Sequence, residues 1–152
     1  MDEIDRKILQ HLVADGRMSF AALGRLVKLS TPAVHQRVRR LEARGVITGY
    51  GARVSPAAIG LGLSGLVAVE TGGRLDAIIA AVGAMPEVEA CWSTAGTSDL
   101  LLKVRAGDAP AMERLLVRLR ELAGVERTRT TILLDTRFER EPDPAALGAV
   151  DD

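Results

Sequence analysis

SFAALGRLVKLSTPAVHQRVRRLEARGVI, residues 19–47, decides the fold of the first third of the chain. Its apolar residues fall in two runs, Phe20, Leu23, Val27 and then Val34, Val38, Leu41, spaced as on one face of a helix. Ser19 precedes the first run, and Ser30 or Thr31 precedes the second; these hydroxyls cap helix N-termini. Pro32 is tolerated in a first turn. Only Lys28-Leu29-Ser30 lies between the runs, so the two helices meet in a tight turn. Gly45 stands where the second helix needs a left-handed stop. A short helix, a tight turn and a longer helix make a helix-turn-helix.

Working outward, Ile4, Ile8, Leu9, Leu12 and Val13 predict a helix over 3–14, with Asp2 as N-cap and Glu3 in the first turn. VITGYGARVSP (46–56) predicts a strand or wing leading into a linker. Residues 61–70 read as a strand. Leu75, Ile78, Ile79 and Val82 predict a helix over 75–84 that Pro86 ends. EVEACWST (87–94) alternates, sending Val88, Ala90 and Trp92 one way and Glu87, Glu89 and Cys91 the other. After the turn 95–98, residues 99–106 form a strand with Leu100, Leu102 and Val104 on one side. Asp108 then caps a helix to about residue 123 with Met112, Leu115, Leu116, Leu119 and Leu122 inward, and residues 125–134 are a β-branched strand. The second block is thus βαββαβ, the ferredoxin-like arrangement. The expected fold is α+β: a winged helix-turn-helix domain over 1–53, a linker over 54–60, a ferredoxin-like domain over 61–135 and an acidic tail over 136–152.

Composition narrows the function. Apolar residues make up 47% of 152, enough for packed cores, yet no run approaches the roughly 20 residues of a membrane span. The opening MDEIDRK is acidic where a secretory signal is basic, so a cytoplasmic protein is expected. One cysteine, Cys91, allows no internal disulfide, and with only two histidines no Cys/His metal cage is expected. The net charge of zero hides an asymmetry. Residues 1–53 carry ten Lys and Arg against five Asp and Glu; the remainder carries ten against fifteen. A basic third on an acidic remainder points to one part that meets a polyanion.

That polyanion is read as double-stranded DNA. In a helix-turn-helix the second helix enters the major groove. With Val34, Val38 and Leu41 inward, Thr31, Ala33, His35, Gln36, Arg37, Arg39 and Arg40 face outward, and Lys28 and Arg44 flank them. Gln pairs with adenine, Arg with guanine or phosphate, and Thr or Ala meets a thymine methyl. A solvated charged face would carry the same arginines, and an architectural DNA-binding protein of little sequence preference would carry the same helix.

Residues 2–50 resemble the DNA-binding domain of the Lrp/AsnC (feast/famine) transcriptional regulators. The shared features are an Asp-x-x-Asp-x-x-Ile-Leu helix (Asp2, Asp5, Ile8, Leu9), a Leu-Ser turn (Leu29-Ser30), Arg-Val-x-x-Leu-Glu (Arg37, Val38, Leu41, Glu42) and a closing Gly45-Val46-Ile47. Gly24 and Lys28 depart from the family's usual Ala and Gly. The βαββαβ block resembles that family's effector and oligomerisation domain, whose Thr/Ala-Gly-x-x-Asp turn appears as Ala95-Gly96-Thr97-Ser98-Asp99. A four-stranded sheet with both helices on one face leaves its other face uncovered, so at least a homodimer is expected. The resemblance implies an octamer beyond it and an amino-acid effector. No cofactor or enzymatic activity is expected, since no Ser/His/Asp set or metal cluster is present. Siroheme decarboxylases share the two-domain build but use histidines in or near the second domain, and this chain has none after His35.

The effector turn has its own logic. Gly96 lets backbone N–H groups, including those of Thr97 and Ser98, converge on a carboxylate, and Asp99 offers an acceptor to an ammonium. A plain hairpin turn with Asp99 bonded to its own backbone is the other reading. Ser98 stands where the family often has tyrosine. Trp92 either walls a pocket or packs in a core or an interface.

Overall fold

The computed structural model describes residues 1–140 and 142–144. Of the tail expected over 136–152, residue 141 and residues 145–152 lie outside the described residues. The chain divides into two compact units: Met1–Arg53 with the described residues from Phe138 onward, and Val54–Arg137.

The first unit holds α1 (Glu3–Ala14), α2 (Phe20–Val27) and α3 (Thr31–Ala43). Each start is capped as its sequence demands. Asp2 accepts from the Asp5 backbone N–H at 2.8 Å while the Asp5 carboxylate accepts from the Asp2 N–H at 3.4 Å, a reciprocal capping box. Ser19 and Ser30 accept from the N–H groups of Ala22 and Ala33. Ile8, Leu9, Leu12, Leu23, Val27, Val34, Val38 and Leu41 form one core. Each such side chain is worth roughly 1.5–3 kcal/mol when fully buried.

The turn gives a reason for Gly24 and shows the strained conformation that Lys28 adopts. Lys28 takes the left-handed conformation (φ 57°, ψ 44°) that glycine adopts without penalty. The chain then closes back on α2: the Leu29 N–H donates to the Gly24 carbonyl at 2.9 Å. A Cβ on Gly24 would lie 2.6 Å from the Leu29 carbonyl oxygen, so this closure has room only for glycine unless the backbone shifts.

The expected wing is not formed. The N–H groups of Val46 and Ile47 both donate to the Leu41 carbonyl, finishing α3 instead of starting a strand, and residues 48–55 join no ladder among the described residues. A strand needs a partner for its backbone groups. Tyr50 instead donates its hydroxyl to Glu42 Oε1 at 3.0 Å.

In the second unit a short 3-10 turn, Ala57–Ile59, lies in the stretch expected to be a linker. There follow β1 (Leu63–Thr71), α4 (Leu75–Gly83), β2 (Val88–Ser93), β3 (Leu100–Ala106), α5 (Ala109–Arg120) and β4 (Val125–Leu133). The sheet is antiparallel in the order β2-β3-β1-β4. Val67 and Val69 of β1 and Leu100, Leu102, Val104 and Ala106 of β3 face Ile78 and Val82 of α4 and Met112, Leu115 and Leu119 of α5. Both helices therefore cover one face, and the other carries Leu66, Ala68, Leu101, Trp92 and Leu133 among charged side chains.

The alternation expected along 87–94 fails at one point. Val88 pairs with Val104, but Ala90 pairs with Lys103, so Glu89 is one residue too many and β2 bulges. Beyond it the phase is reversed. Cys91, opposite Leu102, packs against the core with Val88, while Trp92, opposite Leu101, is 48% exposed on the face without helices. The inserted Glu89 pairs with Arg105 and lies 3.8 Å from Lys103. The bulge thus lets two apolar residues three apart face inward and sends a carboxylate to two cations.

The bulge predicts opposite outcomes at adjacent positions. Cys91→Asp puts a carboxylate against the core and lowers unfolding stability by roughly 1–3 kcal/mol, whereas Ala90→Asp, on the helix-free face beside Lys103, disturbs no core contact and changes the stability of a single dissociated chain by about 0.5 kcal/mol or less. Denaturant titration of the two variants checks this; equal losses would restore simple alternation.

Candidate nucleic-acid interface and effector turn

Burial of Val34, Val38 and Leu41 turns the opposite side of α3 outward. Thr31, His35, Gln36, Arg39, Arg40 and Arg44 are exposed, as is Lys28 in the turn, while Ala33 and Arg37 are only partly so. Within this set the side chains differ in what they already touch. The His35 ring lies 5.3 Å from that of Phe20, tilted by 50°, and so leans on α2. Gln36 stands near the middle of the exposed arc, flanked by Arg39 and Arg40.

Arg37 is not a free groove residue. Its Nη1 donates to Asp2 Oδ2 at 2.5 Å and to Asp5 Oδ1 at 2.8 Å, and its side chain is 24% exposed. Arg40 reaches the same carboxylate less closely, with Nη2 at 3.3 Å from Asp5 Oδ2. The Arg37 hydrogen bond, then the Asp5 backbone N–H, holds the Asp2 carboxyl below its ordinary value, and the two carboxylates raise Arg37 above its own. Nothing local signalled this cluster, because Asp5 and Arg37 are 32 residues apart. Asp2 and Asp5 read in sequence only as a cap and as a family motif.

At the turn after β2, Asp99 does structural work. Its Oδ2 accepts from the Thr71 backbone N–H at 2.7 Å and the Thr71 hydroxyl at 3.0 Å, and its own N–H donates to the Val69 carbonyl. The carboxylate thus ties the start of β3 to the end of β1, and not to its own backbone. Thr94 closes the turn, its hydroxyl donating to the Ser98 carbonyl at 2.6 Å. Gly96, Thr97 and Asp99 are exposed, and Ser98 is half-buried. A Cβ on Gly96 would meet nothing within 4 Å, and its φ lies outside the left-handed region, so the fold of one chain does not require glycine there.

Among the described residues no group of three or more His, Cys, Asp or Glu could hold a metal ion, and no helix is long and apolar enough to cross a membrane.

A capped helix-turn-helix joined to a βαββαβ sheet unit is the build of a two-domain transcriptional regulator. Residues 1–42 match the AsnC-type helix-turn-helix domain, and residues 65–143 match the Lrp/AsnC ligand binding domain. The chain belongs to the Lrp/AsnC family. It is 45% identical over 140 residues to the HTH-type transcriptional regulator LrpA of Mycobacterium tuberculosis, covering 91% of this chain and 93% of that one. It is 36% identical over 145 residues to the proline dehydrogenase transcriptional activator of Rhodobacter capsulatus, covering 92% and 94%. Among solved structures it resembles the feast or famine regulatory protein from M. tuberculosis complexed with L-methionine, with a TM-score of 0.88, 44% identity and coverage of 94% and 99%. These relatives bear regulator names, which weighs against an enzyme.

The Asp2–Arg37 pair sets an acid limit. A carboxyl lowered in the folded chain contributes stability that is fully present above its unfolded value of 3.8 and is lost as pH falls through the lower folded value. Thermal unfolding followed by far-UV circular dichroism is expected to lose stability below about pH 4. Asp2→Asn is expected to make that acid limb shallower, and an unchanged limb would show that the pair carries none of it.

Proposed function

We propose that this protein is a sequence-specific DNA-binding regulator of transcription that acts as a homodimer or a larger even-numbered assembly such as an octamer and responds to an amino acid. The observation that carries the DNA reading is the exposed arc of α3. Gln36 supplies paired donor and acceptor groups for a base edge, and Lys28, Arg39 and Arg44 surround it with charge for phosphates. The oligomer reading rests on the sheet face that no helix covers, where Leu66, Ala68, Leu101 and half-exposed Trp92 lie together. A closed two-fold assembly buries such a patch.

In this reading residues 1–53 bind DNA and 61–135 bind the effector and oligomerise, while 54–60, read in the sequence as a linker, falls within the second compact unit. The effector reading places a ligand carboxylate on the N–H groups near Gly96, Thr97 and Ser98, and its ammonium beside Asp99. Two things support it. Gly96, Thr97 and Asp99 stand exposed together at the turn, and the similar regulator from M. tuberculosis was solved with L-methionine.

Binding-site selection from random DNA tests the regulator reading. The selected site is expected to be an imperfect palindrome with half-sites about one turn apart. Gln36→Ala is expected to lose roughly 1–3 kcal/mol of preference for it, while Arg44→Ala weakens all sequences alike and flattens the salt slope by about 0.9. Selection that yields no preferred site, or a preference untouched by Gln36→Ala, overturns this reading in favour of binding with little sequence discrimination.

Calorimetry with a panel of amino acids tests the effector turn. Asp99→Asn is the informative variant, because its amide oxygen still accepts from Thr71 while the charge is gone. It is expected to abolish the response and leave DNA affinity nearly intact. Failure of the unaltered protein to bind any amino acid leaves Asp99 as a strand tie alone.

A further inference from the structure

We propose that Asp5, with Asp2 beside it, is a positioning residue for DNA recognition: its buried carboxylate engages Arg37 and Arg40, sets the rotation of α3, and withholds their charge from phosphate. The proposal rests on the DNA-binding reading above and adds a specificity determinant on a helix outside the exposed arc.

Asp5 is the buried charged residue of the first unit, its side chain 3% exposed. A carboxylate so placed costs stability unless it is paired and hydrogen-bonded. Arg37 and Arg40 supply the pairing, and they lie three residues apart, on one ridge of α3. Asp2 grips Arg37 from the other side, and its own placement is fixed by the capping box with Asp5. The carboxylate pair is therefore anchored to the α1 backbone before it touches α3.

The apolar stripe alone defines the orientation of α3 loosely. Burial of Val34, Val38 and Leu41 decides which side of α3 faces in, but apolar contacts are non-directional and supply no bond that sets its rotation more finely. A side-chain tip about 5–6 Å from a helix axis moves by about 1 Å for a rotation of about 10°. That displacement is enough to spoil a paired hydrogen bond from Gln36 to a base edge. Hydrogen bonds to two successive turns of α3 oppose that rotation.

The same contact subtracts charge. An arginine held by a carboxylate releases no DNA counterion, so it adds nothing to the salt dependence of binding. A rigid α3 with fewer loose cations favours discrimination over indiscriminate affinity for DNA.

The test is fluorescence anisotropy across a salt series, using the full chain, the duplex it selects from a random pool, and a random duplex. Asp5→Asn, which frees Arg40 while Asp2 still holds Arg37, is expected to raise affinity for random DNA, to steepen the salt slope by about 0.9, and to lower the ratio of specific to random affinity about tenfold or more. Adding Arg37→Gln and Arg40→Gln to Asp5→Asn is expected to return the slope to that of the unaltered protein, with the ratio still low. An unchanged slope and ratio in Asp5→Asn overturns the proposal. So does a proportionate loss of both affinities, which is the mark of a role in stability only.

Arg37→Gln in the otherwise unaltered chain reads the same point should Asp5→Asn fail to fold. It is expected to lower the ratio with the slope unchanged, and a slope flattened by about 0.9 would make Arg37 a phosphate ligand and overturn the proposal. Absence of any selected duplex for the unaltered protein overturns the DNA-binding reading and this proposal together. Normal selection with a flattened Arg37→Gln slope overturns this proposal alone.

Discussion

The packing of α3 against α1 and α2 governs what the N-terminal unit can do. Val34, Val38 and Leu41 are fully buried against Ile8, Leu23 and their neighbours. Once those three residues are inside, helical geometry decides which others are outside. Gln36, Arg39 and the exposed side of Arg40 gain their places from that burial and not from any preference of their own. The left-handed Lys28 and the close approach of Leu29 to Gly24 follow from the same need, since a loose turn would let α3 slide off the stripe it shares with α2.

The helices were largely legible in the sequence because their signals are local. A cap residue lies next to the helix it starts, and an apolar stripe repeats within a dozen residues. The boundaries of α1 and α2 follow from Asp2, Ser19 and the positions of Ile8, Leu12, Leu23 and Val27. The sheet was legible in its order and less so in its detail. A period of two presumes an unbroken ladder, and no property of Glu89 itself announces that it is the extra residue. The wing failed for a related reason: Val46, Ile47 and Tyr50 suit a strand, but pairing is decided by a neighbour and not by propensity.

The candidate sites show the same division. The exposed arc of α3 could be read from spacing alone. Which of its members were already engaged could not, because Asp5 meets Arg37 across 32 residues and Phe20 meets His35 across a turn. Asp99 is the clearest case. Its chemistry suggested an ammonium partner, and the fold adds partners that nothing local announced, a backbone N–H and a hydroxyl from another strand. A carboxylate in a turn carries no local mark of which partner it will find.

The bulge in β2 makes that strand asymmetric in its tolerance of change. Replacement of a single side chain there alters one contact, on one face. Deletion of one residue between Val88 and Cys91 removes the irregularity and restores strict alternation. Every position on one side of the cut then changes faces: either Trp92 swings toward a core filled by Leu102 and Val104, or Val88 swings away from it. Lineages that inherit this sheet are thus freer to vary the identity of residues in β2 than their number, and alignments of such chains should hold the length of this short strand more strictly than its composition.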